Sequence, residues 1–159
     1  MAGNPFTVIR ATADHAAGLA GRLRASDAAE IAAASGLSQL DALTFSVSRS
    51  AHAFTAMVDG RPEIMFGVSD LNVLLGWGSP WLLGSDAVAL HYRAFARESR
   101  AWHAAFVSRY RRLFNAVHAE NRLSIAWLRY LGFTIHPALP LGRSGALFHP
   151  FELEASCAM

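Results

Sequence analysis

Few residues in this chain have both a type and a position that could carry chemistry. Asn121 and Ser124 stand three apart, where a β-like run hands over to a helical one. The carboxylates Glu63 and Asp86 and the imidazoles His52 and His118 are the available proton acceptors, and no spacing singles one out. Each reads first as a surface or core-edge polar residue, and only second as a base. The 7 histidines and one cysteine form no His-x-x-x-His or Cys pair, so no metal site is expected. No P-loop and no Gly-x-Ser-x-Gly occurs. All 14 basic residues are arginine, which excludes lysine-based catalysis. The missing lysine reads as coding bias, with bidentate grip on phosphate or carboxylate as the functional alternative.

These residues must be positioned by a chain of 159 residues, long enough for one domain over 1–159. Apolar residues are 53% and charged residues 16%, which excludes a disordered chain. No apolar run reaches the ~18 residues of a membrane helix. Met1 to Pro5 has neither the basic region nor the apolar core of a signal peptide. Cys157 is alone, so no internal disulfide can form, and a cytoplasmic location is expected. The formal charge of +2 calls for no nucleic acid.

Phe6 to Arg10 reads as a strand. Thr12 caps a helix expected to reach about Arg24, Ser26 or Asp27 caps a second through Ala34, and Ser38-x-x-Asp41 opens a third to about Arg49. Phe54–Val58 and Glu63–Val68 flank Asp59-Gly60 as a hairpin, with Arg61-Pro62 lengthening the loop. Leu71 to Ser79 reads as a loop, and Trp81 begins another strand. No Gly or Pro occurs from Ser85 to Leu131, and a long helix is expected over about 91–114. Phe95, Trp102, Phe106, Tyr110 and Leu113 would share one stripe of it, and Arg93, Arg97, Arg100 and Arg111 the opposite one. That second stripe is either a solvated face or an anion- or partner-binding ridge. Asn115–His118, Thr134–His136 and Leu147–Leu153 read as strands, and the tail from Glu154 to Met159 as frayed. The order predicts an α/β fold, a mixed β-sheet with helices on both faces.

The stretch Asn121-Arg-Leu-Ser-Ile-Ala-Trp-Leu-Arg-Tyr-Leu-Gly-Phe133 resembles the C-terminal signature of the GNAT superfamily of N-acetyltransferases. Together with the segment from Ala56 to Val68 and Trp81-Leu-Leu-Gly-Ser-Asp86, it looks like the small GNAT-like proteins of tailed bacteriophages, some of which are virion or assembly proteins. The resemblance implies acetyl-CoA, with Leu83, Gly84, Ser85, Arg93, Asn121 and Ser124 as cofactor-binding positions and Asp86 or Glu63 as base.

Two departures stand against it. The family's Arg/Gln-x-x-Gly-x-Gly/Ala phosphate cradle is absent, since no glycine follows Gly84 until Gly132. Leu128 stands where the family often places a tyrosine proton donor, and Tyr130 lies roughly 200° further around the helix. The expectation is therefore a GNAT-fold protein acting by binding in phage particle assembly, in the host cytoplasm or the virion. A phage or host protein is its expected partner, and self-association is a further expectation. The alternative is an acetyl-CoA-dependent N-acyltransferase acting on an amine of a protein or small molecule, with the backbone of 83–86 orienting the thioester.

Overall fold

A computed structural model describes residues 3–155; Cys157 and most of the tail expected to fray lie outside them. Seven strands form one mixed sheet. They are β1 (Thr7–Arg10), β2 (Ser50–Val58), β3 (Arg61–Asn72), β4 (Trp77–Gly84), β5 (Arg112–His118), β6 (Thr134–Ile135) and β7 (Phe148–Glu154). Their order is β1-β2-β3-β4-β5-β7-β6, and only β4 and β5 run parallel. Six helices join them: α1 (Ala13–Leu19), α2 (Ala25–Ala34), α3 (Gln39–Ser48), α4 (Ala87–Leu90), α5 (Tyr92–Arg109) and α6 (Arg122–Tyr130).

Burial explains why β3 reads as a continuous apolar run. Glu63 to Val68 is buried on both faces. Met65 packs with Leu19, Ile31 and Leu43 of α1–α3. Ile64 and Phe66 point the other way, to Val88 of α4 and Phe95 of α5. A third cluster joins Leu113 and Val117 of β5 to Ile125 and Leu128 of α6, with Phe133 and Phe151.

Several boundaries differ from the sequence expectation, each for a local reason. The first helix stops at Leu19, because the chain turns through Gly21 at φ 83°. Thr12 caps it as expected, accepting from the His15 N–H. Ser26 and Asp27 do not cap α2; Arg24 precedes it without a side-chain cap, and Asp27 is buried inside its first turn. Ser38 caps α3 by accepting from the Asp41 N–H. The hairpin loop is only Asp59-Gly60, both at positive φ (50° and 76°), so Arg61 and Pro62 belong to β3. Pro62 is tolerated beside a register shift at Ala56/Met57. The expected loop over 71–79 is mostly strand, with the turn confined to Val73–Gly76.

The long helix is the largest correction. The chain breaks at His91 (φ −112°, ψ 35°) and again after Arg109, and β5 already starts at Arg112. Tyr110 and Leu113 are buried, as their apolarity requires, but from a strand and its approach. The expected arginine stripe keeps Arg93, Arg97 and Arg100, all exposed on α5, and loses Arg111. Arg100 lies over the Tyr130 ring, 4.8 Å from its centre.

The feature that positions the site is the divergence of β4 and β5. They pair only through Trp77↔Arg112 and Gly78↔Leu113, and beyond that the strands splay apart. Pro80 sits inside β4, and its missing N–H costs nothing because no strand pairs on that side. At the apex, a Cβ on Gly78 would lie 2.6 Å from Val68 Cγ1 and 2.8 Å from the Tyr110 ring. Gly78→Ala should therefore overpack the apex and cost about 1–3 kcal/mol, read as a lower urea midpoint with an unchanged slope.

Candidate active site

Beyond the apex, the splayed strands bound a cavity of about 350 Å³ that passes between them from one face of the sheet to the other. Ile31, Ala34 and Phe45 of α2 and α3 line it on one face. Trp102 and Phe106 of α5 and Trp127 of α6 line it on the other. Trp81 and Leu128, the side chains best placed to fill the notch, stand in its wall and leave it open.

The backbone of β4 presents alternating polar groups to this cleft. Asn115 Nδ2 reaches across from β5 to the Pro80 carbonyl at 2.9 Å. Four residues on, both backbone groups of Gly84 are taken by α2 and the residue before it: the Gly84 N–H donates to Asp27 Oδ2 at 2.9 Å, and its carbonyl accepts from the Arg24 N–H at 2.8 Å. Even-numbered residues of β4 thus face β5. The two-residue period puts the Leu82 N–H and carbonyl on the same side, between these two bridges.

The wide end of the cleft is strapped shut. Arg24 and Asp27 form a bidentate pair, Nε to Oδ2 at 2.9 Å and Nη2 to Oδ1 at 2.7 Å, with side chains 7% and 1% exposed. Arg24 Nη2 also donates to Ser124 Oγ at 2.8 Å. Asn121 Nδ2 donates to Glu30 Oε2 at 2.7 Å and more weakly to Asp27 Oδ1 at 3.4 Å. One buried network therefore ties α2 to the ends of β4 and β5 and to the start of α6.

Glu30 is the carboxylate that lines the cavity. Its Oε1 accepts from the His118 N–H at 3.1 Å. Burial raises its pKa above the ordinary carboxylate value, against the lowering effect of the Asn121 hydrogen bond. His103 lines the α5 side, and burial lowers its pKa, so it is neutral near pH 7.

The residues expected from sequence are distributed as follows. Leu83 and Ser124 line the cleft. Asn121 and Gly84 stand at its end, held in the network. Arg93 is exposed on α5, and Asp86 is exposed before α4. Neither Asp86 nor Glu63 lines the cavity. Glu63 is held by Arg22 Nη2 at 2.7 Å and by the Ser85 hydroxyl. Sequence reasoning missed Arg24, Asp27 and Glu30. Their spacing of three, in an otherwise alanine-rich helix, places them on one face and was the available signal.

The unpaired edge of β4 at Leu82 leaves room for an acyl thioester, but the turn after β4 does not suit the phosphates of CoA. The Gly84 N–H is held by Asp27, the Ser85 N–H by the Glu63 carbonyl at 2.8 Å, and the Ala87 N–H by Ser85 Oγ at 3.1 Å. The helix that follows has only four residues before the break at His91. An anion would find few free donors there.

No family model matches the sequence, and no curated protein matches it. Solved structures do. The fold superposes on the phosphinothricin acetyltransferase of Sinorhizobium meliloti in complex with AcCoA, with TM-score 0.69 and 16% identity over 95% of this chain and 89% of that one. The ribosomal-protein-S18-alanine N-acetyltransferase of Escherichia coli gives 0.67 and 15%, over 97% and 96%. The spermidine N-acetyltransferase of Vibrio cholerae, with CoA and spermine, gives 0.71 and 9%, over 97% and 98%. At these identities the likeness defines the fold: this is a GNAT-like α/β domain.

Two measurements check the network. Asp27→Ala strands the buried Arg24 guanidinium and frees the Gly84 N–H, and should cost about 3–5 kcal/mol in urea unfolding. For Glu30 the folded pKa is raised above the unfolded 4.5, so the folded state binds the extra proton. Stability should fall as pH rises from 4.5 through the folded pKa, and Glu30→Gln should remove that slope.

Proposed function

We propose that this chain is an acyl-CoA-dependent N-acyltransferase, with the acyl thioester in the β4/β5 cleft and an amine of a protein or small molecule as acceptor. The observation that carries this reading is the open cleft, with the Leu82 backbone facing it and the Glu30 carboxylate in its wall. The acetyltransferases of the same fold support it, among them those bound to AcCoA or CoA.

The bound cosubstrate supplies an activated acyl group. Leu82 N–H is positioned to donate to the acyl oxygen as negative charge develops there. Glu30 takes a proton from the attacking amine; its raised pKa brings it nearer the pH at which an efficient base operates. The new C–N bond forms as the C–S bond breaks. The departing sulfur needs a proton or a positive field, and no tyrosine lines the cavity. Ser124 Oγ already accepts from Arg24, which leaves its own O–H free to donate into the cleft. We assign the base to Glu30 rather than to Asp86 or Glu63, because of the three only Glu30 lines the cavity.

A second reading rests on the engaged donors of the β4–α4 turn. With that turn unavailable to phosphate, the chain would be a GNAT-fold protein that works by binding, as expected from its resemblance to phage virion and assembly proteins. Self-association, or docking to a phage or host protein through exposed Arg93, Arg97 and Arg100, belongs to that reading.

Calorimetry with acetyl-CoA, and release of free thiol in the presence of spermidine or an alanine-initiated peptide, separate the two. The acyltransferase should bind and turn over, and Glu30→Gln should lower kcat by about 10²–10⁴ with little change in KM for the thioester. Undetectable heat and no thiol release, with acetyl-CoA and with a longer acyl-CoA alike, would sink the enzyme and leave the binding protein.

A further inference from the structure

The cavity is larger than an acetyl group needs, and its polar atoms are largely neutralised by their own neighbours. The Trp127 indole N–H donates to Ser99 Oγ at 2.9 Å, and Ser99 in turn donates to the Ala96 carbonyl at 2.8 Å. The Trp81 indole N–H is held by Ser50 Oγ at 2.7 Å. Among the described residues, no buried side-chain nitrogen or oxygen lacks a partner. Away from Glu30, Ser124 and the Leu82 backbone, the α5/α6 side of the space is mostly hydrocarbon and aromatic ring: Phe66, Trp102, Phe106, Trp127, Leu131 and Phe133, with the His103 imidazole beside them. Phe66 and Trp102 stack at 4.0 Å to make a flat wall. Space of this kind disfavours water and favours an apolar guest.

The cavity also has an apolar rim. Leu37 and Phe45 border it on the α2/α3 face, and are 42% and 56% exposed. The opposite end, toward the turn after β4, is closed by the Arg24–Asp27 pair and presents few free donors to phosphate. Binding free energy is thus available along the cavity and scarce where nucleotide phosphates would lie.

We propose that the β4/β5 cavity accommodates a medium- or long-chain acyl group, and that this chain, rather than the nucleotide end of the thioester, supplies most of the affinity. The inference rests on the acyltransferase reading for the thioester itself. The geometry places the chain past Leu82 toward Trp102 and Phe106, with the carbonyl between Leu82 and Glu30.

The test is calorimetry with acetyl, hexanoyl and decanoyl thioesters, each as the CoA form and as the S-acyl pantetheine, which lacks the nucleotide. Each fully buried methylene strengthens binding by roughly fourfold. Decanoyl thioester should therefore bind at least about a hundredfold tighter than acetyl, allowing for incomplete burial. The CoA and pantetheine forms should agree within about tenfold. Ser99→Phe on α5, or Leu131→Trp should the first fail to fold, places a ring in the α5/α6 side of the cavity and should flatten the chain-length gradient. CoA-form binding that ignores acyl length would overturn the proposal and leave the acyltransferase standing. A steep gradient without thiol release to any amine would support the proposal and remove the enzymatic reading. Binding of neither series would overturn both.

Discussion

The Asp27 carboxylate is the point on which the rest of the structure depends. Parting two neighbouring strands leaves the ends of both with unpaired backbone groups, and a buried site without water has to pair them otherwise. Asp27 accepts from Arg24 twice, from the Gly84 N–H and from the Asn121 amide. A single anion thus joins the end of β4 to the start of α6 across the gap. Burying that charge is costly, and the bidentate Arg24 guanidinium offsets the cost. The strap keeps the cleft open as well as closed: it fixes how far the strands can part, and bars the wide end.

This arrangement separates two tasks that a helix N-terminus beside a glycine-rich turn performs together. One is gripping an anion through free backbone donors. The other is holding an acyl group beside an unpaired strand edge. Asp27, Glu63 and Ser85 occupy the donors of the turn, so the first task is largely removed. Nothing in that occupation touches Leu82, whose polar groups face the cavity further down the strand. In the proposed acyltransferase the donors of the turn and the thioester position are therefore independent. On that proposal an apolar chain would carry the affinity that phosphate contacts do not.

Much of the fold was legible because its signals are local. Asp59-Gly60 marked the hairpin, although Arg61-Pro62 suggested a longer loop than the two residues found, and Leu131-Gly132-Phe133 marked a helix stop, with Gly132 at φ 95°. The apolar stripe from Phe95 to Leu113 was real as burial, and helical as far as Phe106, but not at Tyr110 and Leu113. Its last members are buried from β5 and the approach to it, and a residue-by-residue period cannot see a break that only the sheet imposes. The site was less legible for the same reason. Glu63 and Asp86 flank β-like runs and look available in sequence. Glu30 sits in a bland alanine-rich helix, and only the crossing of α2 over the splayed strands brings it to the cavity.

The same crossing sets the role of the Asn121–Phe133 stretch. Asn121 caps α6 by accepting from the Ser124 N–H, and its amide faces Glu30. Its position is architectural first, since it orients the carboxylate and closes the strap. Tyr130 is exposed on the outer face of α6 beneath Arg100, so the helix offers no phenol to the cleft. Leu128 instead adds apolar wall where a proton donor would otherwise be expected. A site built this way exchanges an acid for hydrocarbon surface. For the proposed acyl transfer the leaving group must then be stabilised from elsewhere, and Ser124 of the motif, backed by Arg24, is the polar group that reaches that end of the cleft.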